Sequence, residues 1–181
     1  MQEDFNHIYG AGMRHGQVKT ADGTVYDIDA IINIEGDPQQ EDTTIKGDDV
    51  VKATLSSNRT EDITISANAV SMDVLKAITG NEITKDGTNG VSIALGTVSE
   101  LNAPYVEVAG FINARTEGGT AVKVSKTWHK VQLNKTKITA GNGNELAVEI
   151  SGSAVQTAKD VAGQALPSVR VATLKVEKGQ A

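Results

Sequence analysis

Hydrophobic and polar residues alternate along most of this chain, and this period of two is the feature that most restricts its fold. In residues 48–57 and 61–67, for example, apolar and polar side chains take turns along the whole segment. Such alternation is typical of β-strands that have one face in a core and the other in water. The sequence therefore predicts antiparallel sheets.

Turn residues divide the alternating pattern into about eight or nine strands. The clearest turn contains Gly118 and Gly119 and joins residues 105–115 to residues 120–133, which predicts a long hairpin. The other strands are predicted at residues 16–21, 25–34, 48–57, 61–67, 91–95, 145–152 and 169–176.

One segment has helical spacing instead. Val74, Leu75 and Ile78 lie on one side of a helix, Asn68 is the expected N-cap, and Gly80 is expected to end the helix. The fold class predicted from these patterns is mainly β, with one short helix against an antiparallel sheet.

The 181 residues fit one domain, so we predict a single domain over residues 1–181. With 39% hydrophobic but only 3% aromatic residues, the core must consist mainly of Val, Ile, Leu and Ala, which suits sheets. The absence of cysteine excludes disulfides and thiolate zinc sites and fits folding in a reducing cytosol. The net charge of −6 argues against a protein that clamps nucleic acid by neutralising phosphates, although mild acidity is common among soluble proteins.

Residues 36–47 have the composition of a long exposed loop. They contain Pro38, glycines at both ends and three acids, Asp37, Glu41 and Asp42, with only one large apolar residue. A hairpin connection needs far fewer residues, and loops of this length are usually functional or disordered. The predicted loop therefore requires a role.

The histidines do not form a recognisable catalytic or metal-binding pattern. His7 and His15 are expected in an N-terminal arm over residues 1–15, and His129 is expected at a solvent-facing strand position. No helical His-Glu-x-x-His pair and no Gly-x-Ser-x-Gly turn is present. Trp128 shares a strand face with Val122 and is predicted to anchor a core or an interface.

Two acidic alternatives remain open at this point. Asp48 and Asp49 together could bind a cation, but the ligand spacing of an EF-hand is absent. A small enzyme with a carboxylate site at Asp48, Asp49 or Asp62 is the weaker reading. We predict no enzyme activity, no catalytic, cofactor-binding or metal-binding residue, and no cofactor.

The order of these features resembles the tail tube proteins, or major tail proteins, of long-tailed bacteriophages. The resemblance covers about residues 16–157. It rests on Gly47-Asp48-Asp49, the helix ending Thr79-Gly80, Ala103-Pro104-Tyr105-Val106, Gly110-Phe111 and Trp128-His129-Lys130-Val131.

The resemblance implies a β-sandwich or barrel with a flanking helix. It further implies a homo-hexameric ring that stacks into a tube, which carries DNA without sequence-specific binding and encloses a tape-measure protein. Such a subunit is made in the host cytoplasm and ends in the tail of the virion, without entering a membrane. The alternatives are the inner tube of a contractile tail or secretion machine and, from another class, a capsid decoration or carbohydrate-binding β-sandwich.

Two sets of residues are expected to serve assembly. The set expected to face the channel is Lys52, Thr54, Ser56, Asp62, Thr64 and Ser66, with Val51, Leu55, Ile63 and Ile65 in the core. The set expected in a ring-stacking loop is Asp37, Pro38, Gln39, Gln40, Glu41, Asp42 and Lys46. The arm at residues 1–15 and the C-terminal segment at residues 160–181 are also expected to reach neighbouring subunits.

Overall fold

The computed structural model describes residues 7–10, 12–13, 15–28, 30–47, 50–87, 90–139 and 147–178. For residues 43, 45–47, 50–57, 86 and 99 it describes the backbone alone. These ranges contain thirteen β-strands, one α-helix and one 3-10 helix. The strands are β1 (Ile8–Gly10), β2 (His15–Lys19), β3 (Val25–Ile28), β4 (Ile31–Gly47), β5 (Val50–Ala67), β6 (Ile83–Asp86), β7 (Gly90–Ile93), β8 (Tyr105–Thr116), β9 (Ala121–Thr139), β10 (Ala147–Val155), β11 (Thr157–Lys159), β12 (Ala165–Arg170) and β13 (Ala172–Lys178). The helices are α1 (Met72–Thr79) and the 3-10 helix Val98–Asn102.

Nine of the described strands form one antiparallel sheet. Its order is β3-β2-β8-β9-β10-β5-β4, with β1 paired to β8 and β13 paired to β9. The pairs β6–β7 and β11–β12 form two small sheets. The prediction of a mainly β, antiparallel fold with one short helix is confirmed. More strands are present in the described residues than were predicted, in part because residues 25–34 divide at Ala30, where φ is 51°.

Strand β9 is the strand around which the sheet is organised. One edge pairs with β8, while the other edge pairs first with β13 and then with β10. Between these two partners β9 contains a bulge: Val106 lies opposite Val131, but Val108 lies opposite Trp128. Between these pairs β9 advances by three residues while β8 advances by two. The extra residue shifts which side chains of β9 face inward, so Trp128 and Val131 both face the core.

The core lies between the two ends of the large sheet. A side chain on Gly16 of β2 would come within 2.9 Å of the δ-methyl of Ile34 on β4, although β2 and β4 are far apart in the strand order. Strands β2 and β4 therefore approach each other across the core. Fully buried members of this core are Val18, Ile63, Ile65, Ile78, Val106, Val108, Trp128, Val131 and Ala154.

Helix α1 covers one side of this core. Ser71 is its N-cap and accepts a hydrogen bond from the backbone N–H of Val74 at 3.2 Å. Gly80 ends the helix as predicted, with φ at 73°. The prediction of Asn68 as the cap is wrong, because its backbone N–H is bonded to the carbonyl of Ala30 and continues the β4–β5 pairing.

The predicted loop at residues 36–47 is instead strand. These residues are the second half of β4, which pairs with β5 as far as Gly47 and Val50. Pro38 is tolerated because β4 is an edge strand, where one side of the backbone needs no partner N–H. The sequence of residues 36–47 indicates a loop because it has almost no apolar row, so its flanking glycines and its proline dominate the composition.

The break predicted between the strands at residues 48–57 and 61–67 is also absent. Strand β5 runs without a break from Val50–Ala67. Gln39 lies opposite Thr60, but Glu41 lies opposite Ser57, so β5 has an extra residue here. Asn58, with φ at 51°, forms a bulge within the strand, since asparagine tolerates the left-handed conformation that both bulges and turns use.

We predict that Gly152→Ala destabilises the protein strongly. Gly152 lies at the register shift between β10 and β9, and a Cβ there would come within 2.7 Å of the Leu133 Cα and still closer to the Gln132 carbonyl. Because these are backbone atoms, the strands must separate, at a cost of about 3 kcal/mol in unfolding free energy.

Urea denaturation of the monomer measures this loss. Gly118→Ala is the matched control, because its Cβ would have only the Thr116 hydroxyl nearby, at 3.9 Å. Equal stability of the two variants would contradict the assigned register.

Candidate assembly surfaces

One large face of the sheet is polar and exposed to solvent, and we call it the polar face. It is the outer side of β4, β5, β10 and the second half of β9. Its members are Asn33, Glu35, Asp37, Gln39, Thr60, Asp62, Thr64, Ser66, Lys135, Lys137, Glu149, Ser151 and Ser153. The face is built mostly from small hydroxyl side chains and acids. Two apolar side chains lie at its margins: Val155 opposite Thr60, and the exposed Ile32 beside Ser66 and Lys137.

The polar face brings like charges together. Asp37 of β4 lies directly opposite Asp62 of β5, and both side chains are exposed. Like charges in opposite positions destabilise a strand pair. Hydrogen bonds offset part of this cost, since Asp37 accepts from the Gln39 amide at 3.0 Å and Asp62 from the Ser153 hydroxyl at 2.9 Å.

Three of the residues expected to face a channel lie on the polar face: Asp62, Thr64 and Ser66. Their neighbours Ile63 and Ile65 are buried, as predicted. For the other three, Lys52, Thr54 and Ser56, the side chains lie outside the described residues, as do those of Val51 and Leu55. The bulge at Asn58 interrupts the row of even-numbered positions in β5. That this surface lines a channel remains a prediction.

The hairpin of β4 and β5 extends well beyond the end of β10, the strand that pairs with the other edge of β5. Strand β10 pairs with β5 only from Thr60 to Ala67, whereas β4 and β5 remain paired through residues 39–47 and 50–57. We call this extension the distal ribbon. At about 3.3 Å per residue it is ~30 Å long. A two-stranded ribbon is only marginally stable without a third strand or a helix against it.

The residues expected in a stacking loop lie at the start of this ribbon. Asp37, Pro38, Gln39, Gln40, Glu41 and Asp42 are all exposed, and the side chain of Lys46 lies outside the described residues. Cross-strand hydrogen bonds hold this part together: the Asn58 amide donates to Glu41 at 3.1 Å, and the Arg59 guanidinium donates to Gln40 at 3.1 Å.

A partly buried acid fixes the base of the ribbon to the core. The Glu61 carboxylate, with 14% of its side chain exposed, accepts from the Lys126 ammonium at 2.8 Å and from the Trp128 indole N–H. Gly36 has no side chain and so leaves room for the indole, whose Cζ2 would lie 2.9 Å from a Cβ. This cluster was not predicted from the sequence, although an acid at the same strand parity as Ile63 was a signal for it.

A second cluster holds the C-terminal strands to the sheet. The Lys19 ammonium contacts Asp160 at 3.3 Å and Glu107 at 3.9 Å. Glu107 lies 3.0 Å from Nδ1 of His129, whose Nε2 lies 2.7 Å from the Thr173 hydroxyl. The prediction that His129 faces solvent is wrong, because the β9 bulge turns it under β13, and only 7% of the residue is exposed.

The charge environment of Asp160 shows how this cluster is balanced. Burial alone would raise the pKa of Asp160, but the backbone N–H of Gln164 and the Lys19 ammonium outweigh burial and hold the pKa below its ordinary value. Residues 160–178 are thus packed on their own subunit through β12 and β13. That residues 160–181 also contact a neighbouring subunit remains a prediction.

The remaining candidates for chemistry do not converge. His7 is exposed beside Glu117, and His15 is the exposed first residue of β2, so the expected arm at residues 1–15 includes the paired strands β1 and part of β2. Asp48 and Asp49 lie outside the described residues. Within the residues that are described, no group of three or more His, Asp or Glu side chains is placed to hold a metal ion.

No protein-family model matches this sequence, and no curated protein matches it either. No helix in the described part of the chain is long and apolar enough to span a bilayer.

We predict that Asp62→Asn stabilises the isolated subunit by about 0.5 kcal/mol. The substitution removes repulsion from Asp37, and the asparagine carbonyl can still accept the Ser153 hydroxyl. Glu149→Gln is the matched control, because Glu149 lies opposite Lys137 and its neutralisation removes an attraction. Thermal unfolding at low salt should show opposite signs for the two variants, and the same sign for both would contradict the electrostatic account of the polar face.

We predict that Glu61→Gln destabilises the subunit by about 1–2 kcal/mol, because charged hydrogen bonds to Lys126 and Trp128 are weakened in a partly buried site. Glu82→Gln is the control, since Glu82 pairs with Lys76 on the exposed surface and such pairs contribute little. Urea denaturation measures both. An unchanged Glu61→Gln variant would mean that the cluster does not hold the ribbon base.

Proposed function

We propose that the chain is a non-enzymatic structural subunit of a phage tail tube, which assembles as hexameric rings that stack into a conduit for DNA. The two ends of its sheet would pack as a β-sandwich or barrel, with α1 as the flanking helix. In this arrangement the polar face lines the channel and the distal ribbon contacts the next ring. Because no relative identifies the chain, the proposal rests on its own surfaces and on the resemblance described above.

The observation that carries the proposal is a wide polar face on a sheet with open edges. Strand β4 ends the strand order, and its only ladder among the described residues is with β5. Strands β3 and β13 likewise have one ladder each in the described part. Exposed edges are sites of strand pairing between chains, and closing a ring is one way to cover them. A sheet continued from copy to copy would join the polar faces into one wet wall.

The composition of the polar face suits a channel for DNA. Its acids, Glu35, Asp37, Asp62 and Glu149, outnumber its lysines, Lys135 and Lys137. A net negative wall repels phosphates, so DNA passes without being held. Small hydroxyl groups between the acids leave the wall smooth and hydrated. A tape-measure protein would occupy the same space before DNA does, and the subunit would reside in the virion after synthesis in the host cytoplasm.

Electron microscopy of the purified protein tests the proposal. Rings or tubes whose lumen is lined by the polar face would support it, and a lumen lined by another face would overturn that assignment. A protein that stays monomeric at high concentration would overturn the proposal itself and favour the decoration or carbohydrate-binding alternative. The tube of a contractile tail or secretion machine shares the ring and would differ by an outer sheath.

We predict that shortening the distal ribbon prevents stacking without unfolding the subunit. Residues 42–56 are replaced by Asn-Gly, which forms a two-residue turn between the paired Glu41 and Ser57. None of the core residues that the structure describes lies in the deleted segment, so the melting temperature should stay nearly unchanged. Tube length by electron microscopy is the measurement, and rings should persist without growing into tubes.

The control is a variant in which Thr44 alone is replaced by Ser, which keeps both strands. Normal tubes from the shortened variant would refute the stacking role.

A further inference from the structure

A groove separates the base of the distal ribbon from the C-terminal strands. Its volume is about 590 Å³. One wall is formed by Val169, Arg170 and Leu174 at β12 and β13, and the other by Gln40, Arg59 and Thr60 at the start of the ribbon. We call this the ribbon-base groove. The groove adjoins the polar face, and Gln39 and Thr60 belong to both.

The β13 wall of the groove has two features of a strand-binding site. Leu174 is 66% exposed and Val169 is 61% exposed, so two large apolar side chains that line the groove are exposed to solvent. Strand β13 pairs with β9 on one side, and no second ladder is formed by its described residues. Together these features offer backbone hydrogen-bonding groups and apolar contacts to an added strand.

The charge of the groove selects an acidic strand. Arg59 donates to the Gln40 amide oxygen, and Arg170 donates to Ser168 and Thr173. All these partners are neutral, and in the described part of the chain neither arginine is ion-paired with a carboxylate. A third cation, Lys126, is already neutralised by Glu61. The groove therefore presents two guanidinium groups that form no ion pair among the described residues.

The distal ribbon of another copy fits these requirements. Its outer strand is the edge strand β4, whose residues 39–47 carry the exposed acids Glu41 and Asp42 against one lysine, Lys46. The ribbon reaches ~30 Å beyond the end of β10, at about 3.3 Å per residue. Strand β3, at the opposite end of the strand order, is the alternative edge. It has only four residues, and its acid Asp27 is bonded to Gln17. Length and charge thus favour the ribbon over β3.

We propose that the ribbon-base groove receives the distal ribbon of a second copy of this chain, with β4 of one copy pairing along the free edge of β13 of the other. The inference rests on the proposed function and names the receptor for its stacking element. Ribbon and groove are different surfaces, so the contact is head-to-tail and does not close on itself in a dimer. Each added copy presents a new groove, which permits growth from ring to ring.

Disulfide trapping tests the contact directly, because the chain has no cysteine of its own. Leu174→Cys is mixed with Glu41→Cys and, separately, with Thr44→Cys, which cover both strand parities of the ribbon. A disulfide requires Cα atoms about 4.4–6.8 Å apart, which adjacent strands provide. The expected result is a covalent dimer containing one copy of each variant, formed under assembly conditions. Val25→Cys on β3, mixed with the same ribbon variants, is the control and should not be linked.

A charge exchange provides the second test. Arg170→Glu should raise the critical concentration for tube growth by about tenfold or more, and adding Glu41→Lys in the same chain should restore growth. Arg59→Glu is the companion variant if Arg170→Glu alters the melting temperature, because Arg170 also bonds Thr173.

The two outcomes of failure differ. Normal tubes without any cross-link would overturn the groove assignment and leave the proposed function standing. Wild-type assembly of both Arg170→Glu and Arg59→Glu would do the same. A wild-type protein that never assembles would overturn both.

Discussion

The bulge in β9 is the constraint on which the rest of the structure depends. It lets one strand change partners from β13 to β10 while β8 stays on its other side. It also places Trp128 and Val131 in the core together, and Trp128 then orients Glu61 at the base of the ribbon. Without the extra residue, the alternation of β9 would carry one of these side chains into solvent. The polar face, the ribbon and the C-terminal strands all take their positions from this one irregularity.

The stability of the subunit is divided unevenly between its two halves. The core half is held by buried aliphatic side chains, by Trp128 and by two clusters of partly buried charges around Glu61 and Glu107. The outer half places Asp37 opposite Asp62 and extends a ribbon of β4 and β5 that has no third strand among the described residues. Both features cost stability in a monomer. Surfaces that are kept at such a cost are those where function, rather than folding, selects the residues.

Local sequence patterns predicted the structural features that depend only on residues close together in the chain. The hairpin of β8 and β9, the end of α1 at Gly80 and the burial of Ile63 and Ile65 follow from alternation, turn chemistry and helix-capping rules. The β5 half of the ribbon was predicted as a strand, but the β4 half was not, because residues 36–47 contain only one large apolar residue and only their pairing with β5 distinguishes them from a loop. The burial of His129 and the contact of Glu61 with Trp128 depend on register across strands, which one sequence does not specify.

The ribbon is the element that most needs a partner. Ordering each residue costs about 1–2 kcal/mol in backbone entropy, and a two-stranded ribbon recovers little of it through burial. The bonds of Gln40 and Glu41 to Arg59 and Asn58 stiffen its base but bury little surface. A strand added along β4 would supply the missing ladder, and the acids of the ribbon would keep copies from pairing ribbon to ribbon, because like charges repel. In the proposed assembly these acids would instead be attracted to Arg59 and Arg170. Charge would then set which surfaces meet, and backbone pairing would supply the energy that holds them.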